Sequence, residues 1–362
     1  MRILFDGFWW AEGPVSNRQV MREFVLAWEA RFPEDEVVLA VRNRDLDVVR
    51  ADVPARIELV GTRLSPQGVS AIVELPWLAR RVGADLTLTH NFTPAFGRSA
   101  VFVHDFMFLT SPEWFTFPER CYFALMPATI RRSRIVFTSS ATEAERIRRY
   151  SGSRPVVPVG LAVGRGLRDA TPRRPRGIEE VSRFHLSVGR LNARKNLETA
   201  IIGAVASGLV APLRPLLVVG EPGGRGITLS AAEAAVADGT VRMMGRLDDE
   251  ELAWLYANTD GLVFLSLDEG FGMPTLEALE FGSPILASDI PVFHEILGDR
   301  AVYVDPSDPV AVAEGLRSLP PRPADGRRSA EEQGYSWARS VATMRAEVVA
   351  RLEAPSAAAA AR

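Results

Sequence analysis

A single cysteine, Cys121, among 362 residues leaves no partner for an internal disulfide and no cysteine-based metal cluster, and it points to a reducing compartment. No run approaches the ~20 consecutive apolar residues that a spanning helix requires. The opening stretch, Met1-Arg2-Ile3-Leu4-Phe5-Asp6-Gly7, meets an acid after three apolar residues. That excludes a signal peptide and suits a buried first strand. A net charge of −3 gives no electrostatic reason to expect a nucleic-acid partner. Lysine is almost missing: of the 42 Lys+Arg residues only Lys195 is lysine, which marks position 195 as selected for its side chain.

What is present is globular, with 47% hydrophobic and 24% charged residues. The length exceeds what one hydrophobic core comfortably fills, so two domains are expected. Charge is uneven between them. Residues 1–180 carry 25 arginines and 21 acids, whereas residues 181–362 carry 17 Lys+Arg and 24 acids.

Short apolar runs at 2–6, 37–41, 57–60, 86–89, 100–103 and 135–139 alternate with helical or loop segments, the first helix being expected from about Ser16 to Arg31. This alternation predicts a mostly parallel sheet covered by helices. Periodicity is lost between about Val159 and Arg183, a Gly-, Pro- and Arg-rich stretch read as the boundary. The pattern restarts at Phe184–Val188 and continues through strands at 216–219, 241–244, 261–265, 285–287 and 301–304. The expected division is residues 1–165 as a first domain joined by a C-terminal helix at 338–353, 166–182 as linker, 183–337 as a second domain, and 354–362 as an Ala-rich tail.

The chemistry concentrates after strands. In the run 266–280, two glycines, Gly270 and Gly272, allow a tight turn and Pro274 sits where a helix begins. Backbone N–H groups of about Gly272–Thr275, including Met273, form an anion site suited to a diphosphate. Glu269 and Glu277 are too far apart along the chain to need the same target, so one is free for sugar hydroxyls and the other for a ribose. On the loop 187–196, Arg190 and Lys195 place two cations five residues apart, able to grip a departing diphosphate. His104, in Val103-His104-Asp105, lies at a strand's C-terminal edge, where α/β sheets bind ligands. His90 is a secondary candidate.

Asp45-Leu46-Asp47 has the spacing of a metal-bound sugar-nucleotide site but follows a strand of the wrong architecture. The turn beginning Gly220-Glu221-Pro222-Gly223 is a poor dinucleotide fingerprint, since a Thr228-Leu229-Ser230 loop intervenes where a helix belongs. The arginine runs 131–134 and 146–149 read as solvated helix faces, with a weak membrane-surface association as the other reading.

Glu269 through Glu277 resembles the E-x7-E signature of family 4 of the retaining glycosyltransferases, and Phe281-Gly282-Ser283-Pro284-Ile285 resembles its continuation. Gly189-Arg190 with Lys195-Asn196 resembles the family's Gly-Arg-x(4)-Lys-Asn loop. Val103-His104-Asp105 is similar to its His-Asp segment, and Gly245-Arg246-Leu247 to the segment near the nucleobase. The first loop resembles the family only through Gly13.

The resemblance implies an α/β GT-B fold of two doubly wound Rossmann-like domains facing a central cleft. It implies transfer, with retention and without metal or cofactor, from a GDP-, UDP- or dTDP-linked sugar to a glycan, a glycolipid or other lipid-linked acceptor, or another small acceptor, in the cytoplasm or at the inner membrane face. By analogy Arg190 and Lys195 stabilise the departing diphosphate, Glu269 holds sugar hydroxyls, Glu277 the ribose and His104 the sugar. Gly13, Asp105, Gly189, Asn196, Gly245, Arg246, Gly270, Phe271, Gly272, Met273 and Pro274 complete the donor site. The rivals are a nicotinamide- or flavin-dependent oxidoreductase and a catalytically silent sugar-nucleotide-binding protein.

Overall fold

Strands that read as near-continuous apolar runs suit burial on both faces, as in a helix-covered parallel sheet. That is how the chain folds in the computed structural model, which describes residues 1–152, 155–222, 232–323 and 334–353. Two compact units result. The first comprises Met1–Phe106, Cys121–Leu161 and the segment from Tyr335, and the second comprises Met107–Arg120 and Ala162–Gly334.

The first unit holds seven strands: β1 (Arg2–Asp6), β2 (Glu36–Arg42), β3 (Glu58–Thr62), β4 (Leu86–His90), β5 (Ser99–Val103), β6 (Ile135–Thr138) and β7 (Val156–Pro158). Their order is β3-β2-β1-β4-β5-β6-β7, and every pairing is parallel. Order reverses between β1 and β4, the crevice where such sheets take their ligands. The helix Val15–Arg31 buries Phe24 and Trp28 against this sheet, Phe24 edge-on to Phe102. The helix Trp337–Glu353 packs in the same unit, where Arg345 reaches the sealed Asp35 at 2.8 Å.

The second unit holds β8 (His185–Val188), β9 (Leu216–Val219), β10 (Val241–Gly245), β11 (Gly261–Phe264), β12 (Ile285–Ser288) and β13 (Val302–Val304). Their order is β10-β9-β8-β11-β12-β13, again parallel throughout. Here the reversal falls between β8 and β11. Its core runs from Leu197, Ile201 and Ala204 through Val218, Val263 and Leu286 to Val312 and Leu316. The stretch read as linker contains a short helix, Arg165–Arg168, and anchors itself through the fully buried Ile178 and Val181.

Several cations of the first unit have ordinary structural partners. Asp45 binds Arg42 at 2.6 Å, Arg146 binds Glu143 at 2.8 Å, and Arg131 and Arg134 donate to the carbonyls of Ser151 and Arg351. No helix of the described residues is long and apolar enough to cross a membrane.

Candidate active site

Two loops converge where the second sheet reverses its order. The first leaves β8, passes Gly189 and Arg190, forms a single 3-10 turn over Ala193–Lys195 and enters the helix Leu197–Ala206. Asn192 caps that turn by accepting from the Lys195 N–H, and Asn196 leaves it in the left-handed region at φ 51°. The second loop leaves β11 and runs through Glu269 to the helix Met273–Glu280. They are stitched by Leu267 N–H donating to the Arg194 carbonyl and by Arg194 Nη1 donating to the Asp268 carbonyl at 2.8 Å.

At the crossing, Lys195 Nζ and Arg194 Nη1 each lie 2.6 Å from Glu269 Oε1. Lys195 Nζ also sits 4.3 Å from the centre of the Phe264 ring. Burial lowers the ammonium of Lys195 to about 8, although Glu269 opposes that shift. Burial alone would raise the Glu269 carboxyl. The charges of Arg194 and Lys195 outweigh it and hold the group at about 2.

Glu277 is built differently. Its Oε2 accepts from the Tyr256 hydroxyl at 2.8 Å, both side chains being buried, and burial raises the carboxyl to about 7. Each glutamate thus has one oxygen anchored. Glu269 Oε2 and Glu277 Oε1 take no hydrogen bond from the described residues, which leaves them as acceptors for hydroxyls of a ligand.

The anion cradle is narrower than the sequence suggested. Pro274 has no N–H, and the N–H of Thr275 is spent on the Gly272 carbonyl at 2.9 Å. The N–H groups of Gly272 and Met273 have no partner among the described residues, so these two remain for an anion. Gly272 itself has φ 91°, and a Cβ there would come within 2.6 Å of Phe293. Phe271 and Gly270 are buried beside it.

Other expected residues fall as follows. Arg190 is exposed, with no ion pair among the described residues, and is available to a ligand. Gly189 lets the Lys195 stem pass, since a Cβ there would lie 3.0 Å from Lys195 Cε. Asn196 commits its side chain to the Pro306 carbonyl at 2.6 Å and to Thr199 at 2.8 Å, and so shapes the loop. Gly245 ends β10 at φ 65° and accepts from Gly220 N–H, while Arg246 is exposed. Residues 223–230 of the glycine turn lie outside the described residues.

In the first unit, His104 follows β5 and stacks on His90 with ring centres 5.5 Å apart. Burial lowers His104 to about 4 and His90 further, so both rings are neutral at pH 7. His104 Nε2 and His90 Nδ1 are buried without a hydrogen bond, each free to meet a hydroxyl. Asp105 is half-buried. At the end of β1, Asp6 accepts from Gln67 Nε2 at 2.6 Å, and burial raises it to about 6. Gly13 is required by Trp9, whose ring a Cβ would meet at 2.3 Å. Trp10 is sealed in the core with its Nε1 on Asp52.

Sequence reasoning passed over Arg194, Tyr256 and Phe264. The Arg-Lys pair at 194–195 was a visible signal for the first; nothing local marks the other two. A cavity of about 650 Å³ elsewhere in the second unit is lined by Arg165, Asp169, Asp248, Asp249 and Glu250. Four acids against one cation make it a poor host for a diphosphate.

Residues 170–337 match the family model of the glycosyl transferases group 1. The O-antigen chain mannosyltransferase B of Escherichia coli is 27% identical over 66% of this chain and 67% of its own length. The O-antigen chain mannosyltransferase RfbU of Salmonella typhimurium is 27% identical over 67% and 68%. Among solved structures, the sucrose-phosphate synthase of Thermosynechococcus elongatus superposes with a TM-score of 0.64 at 17% identity, covering 97% of this chain and 95% of its own. Anabaena HepE, solved with UDP and glucose, gives 0.57 at 15% identity over 98% and 97%. Residues 170–337 are thus similar to the group 1 glycosyl transferases, and the fold of the chain is that of the GT-B glycosyltransferases.

Proposed function

We propose that this chain is a retaining, metal-independent hexosyltransferase that moves a sugar from a nucleotide-diphosphate donor to a glycan or lipid-linked acceptor in polysaccharide synthesis. The observation that carries the reading is the meeting of Lys195 and Glu269 at 2.6 Å where the second sheet reverses its strand order. Lys195, the exposed Arg190 and the free N–H groups of Gly272 and Met273 supply positive potential for a departing diphosphate without a cation. Glu269 Oε2 is the acceptor for sugar hydroxyls and Glu277 Oε1 for the ribose. The neutral imidazole of His104 serves the transferred sugar.

Retention by a same-face route fits Glu269, because a carboxylate clamped by two cations is a weak nucleophile. A covalent glycosyl-enzyme through its free Oε2 would neutralise the carboxylate and leave Lys195 and Arg194 without a counter-charge. The two mannosyltransferase relatives make mannose the first sugar to test. A cytoplasmic site of action, at the inner membrane face for a lipid-linked acceptor, belongs to the same reading.

The test is thermal stabilisation by GDP, UDP, ADP, NAD and NADP, each in EDTA and with magnesium or manganese. A ligand at ~100 times its dissociation constant adds about 2.7 kcal/mol. Stabilisation by one nucleoside diphosphate in EDTA is expected. Stabilisation by a dinucleotide alone replaces the reading with an oxidoreductase, and a strict need for metal removes the metal-independent part. Donor binding without transfer to any acceptor leaves a silent binding protein.

A further inference from the structure

We infer that Tyr256 and Glu277 form a ribose-reading pair that selects ribonucleotide donors over 2′-deoxyribonucleotide ones, with Tyr256 as the positioning residue. The inference rests on the proposed reading that Glu277 faces the donor ribose, and it narrows the donor class by excluding thymidine-diphosphate sugars, whose pentose lacks the 2′-hydroxyl.

The geometry is specific. Tyr256 is fully buried on the helix Asp249–Asn258, and its hydroxyl donates to Glu277 Oε2 at 2.8 Å. The tyrosine is fixed from three sides. Its ring stacks on Phe281 with centres 5.9 Å apart, and its carbonyl accepts from Ser283 Oγ at 2.6 Å and from Arg322 Nη1 at 2.9 Å. Glu277 Oε1 stays without a protein partner among the described residues while the residue is only 7% exposed.

Glu277 Oε1 is not among the sealed polar atoms, so water reaches it in the free protein, and a pair of vicinal hydroxyls can replace that water as donors to the carboxylate. A site built to hydrogen-bond a substrate hydroxyl discriminates strongly against the analogue that lacks it. The charged groups acting on Glu277 are Asp249, from the same helix as Tyr256, and Lys195, from the loop after β8. Lys195 favours the ionised carboxylate and Asp249 opposes it. The tyrosine hydroxyl acts in the same sense as Lys195, so it both aims the group and opposes the upward shift that burial causes.

The experiment measures dissociation constants of GDP, dGDP, UDP, dUDP and dTDP for the wild type, Tyr256→Phe and Glu277→Gln, in EDTA. The wild type is expected to bind the preferred ribonucleotide about tenfold or more tighter than its 2′-deoxy counterpart. Tyr256→Phe keeps the ring and its stacking. It should shrink that ratio to about threefold or less, with unfolding temperature within a few degrees of wild type. Equal wild-type affinity for ribo- and deoxyribonucleotide overturns the selectivity. An unchanged ratio in Tyr256→Phe, with loss of the ratio in Glu277→Gln, overturns the role of Tyr256 alone. If Glu277→Gln keeps both the affinity and the ratio, the ribose reading of Glu277 itself falls.

Discussion

Lys195 Nζ and Glu269 Oε1 lie 2.6 Å apart although 74 residues separate them, because β8 and β11 are neighbours in the sheet and each ends in one of the two loops. The only lysine of the chain is therefore held against the first glutamate of its most informative motif. Arg194 completes the clamp from the adjacent position.

Lys195→Ala should weaken nucleoside-diphosphate binding about tenfold and lower turnover by about 100-fold or more, since a preorganised charge acts mainly on the developing negative charge. Calorimetric titration and initial rates separate the two effects. Wild-type turnover in this variant would remove Lys195 from the leaving-group role. Folding should survive, because Arg194 still pairs Glu269.

Glu269→Gln leaves Lys195 and Arg194 without a carboxylate in a poorly solvated place, which costs about 3 kcal/mol of stability. Urea denaturation reads that loss directly. Nucleoside-diphosphate affinity is expected within about threefold of wild type, and transfer about 100-fold lower. If nucleotide binding disappears while transfer at saturating donor is preserved, Glu269 holds the nucleotide and not the sugar.

The pH dependence of donor binding follows from Glu277 at about 7 and Lys195 at about 8. Below about 7 the carboxyl protonates and its acceptor oxygen is lost; above about 8 the ammonium loses its charge. Nucleoside-diphosphate affinity should therefore peak between them, and Glu277→Gln should abolish the acidic limb only. The stability signs differ. Glu277 is raised from 4.5, so the folded state keeps its proton longer, and stability falls as pH rises from about 4.5 through 7. Glu269 is lowered from 4.5, so its contribution is present above about 4.5 and is lost as pH falls through about 2.

Gly220→Ala tests the packing beneath the site. A Cβ there would lie 1.9 Å from the Gly189 carbonyl oxygen, at φ 147°, and no flexible side chain can yield. A loss of about 2–4 kcal/mol is expected. Gly83→Ala, at φ 66° with open space around it, supplies the control at about 1 kcal/mol. Equal effects would mean that the close approach of Gly220 to the Gly189 carbonyl is not what fixes glycine at 220.

His104→Ala should reduce transfer by about 100-fold with nucleoside-diphosphate affinity within about twofold, because the proposed partner of His104 is the sugar alone. Binding assays with the nucleotide and with the intact donor distinguish this from a general collapse of the first unit. Equal transfer by the variant would leave the unpartnered Nε2 without a function.

The two doubly wound units were legible because parallel strands buried on both faces announce themselves as uninterrupted apolar runs. β7 was not, for it has three residues, borders Pro155 and occupies an edge. Within the site, Lys195, Glu269 and the glycine turns stood out because composition or spacing singled them out. Tyr256 could not, since a buried tyrosine on an amphipathic helix reads as core, and only its contact with Glu277 across 21 residues gives it a role. The expectation of a run of free amides from 272 to 275 failed on Thr275, whose N–H turns back on the Gly272 carbonyl.

The pairing of β8 with β11 also sets when binding competence appears during folding. Pairing β8 with β11 closes a loop of the 72 residues between Val188 and Gly261, a long-range step that slows the final register. Until that register forms, neither loop has its partner. Nucleotide capture therefore makes a late-stage reporter for refolding of the second unit, insensitive to isolated strands or helices that assemble earlier.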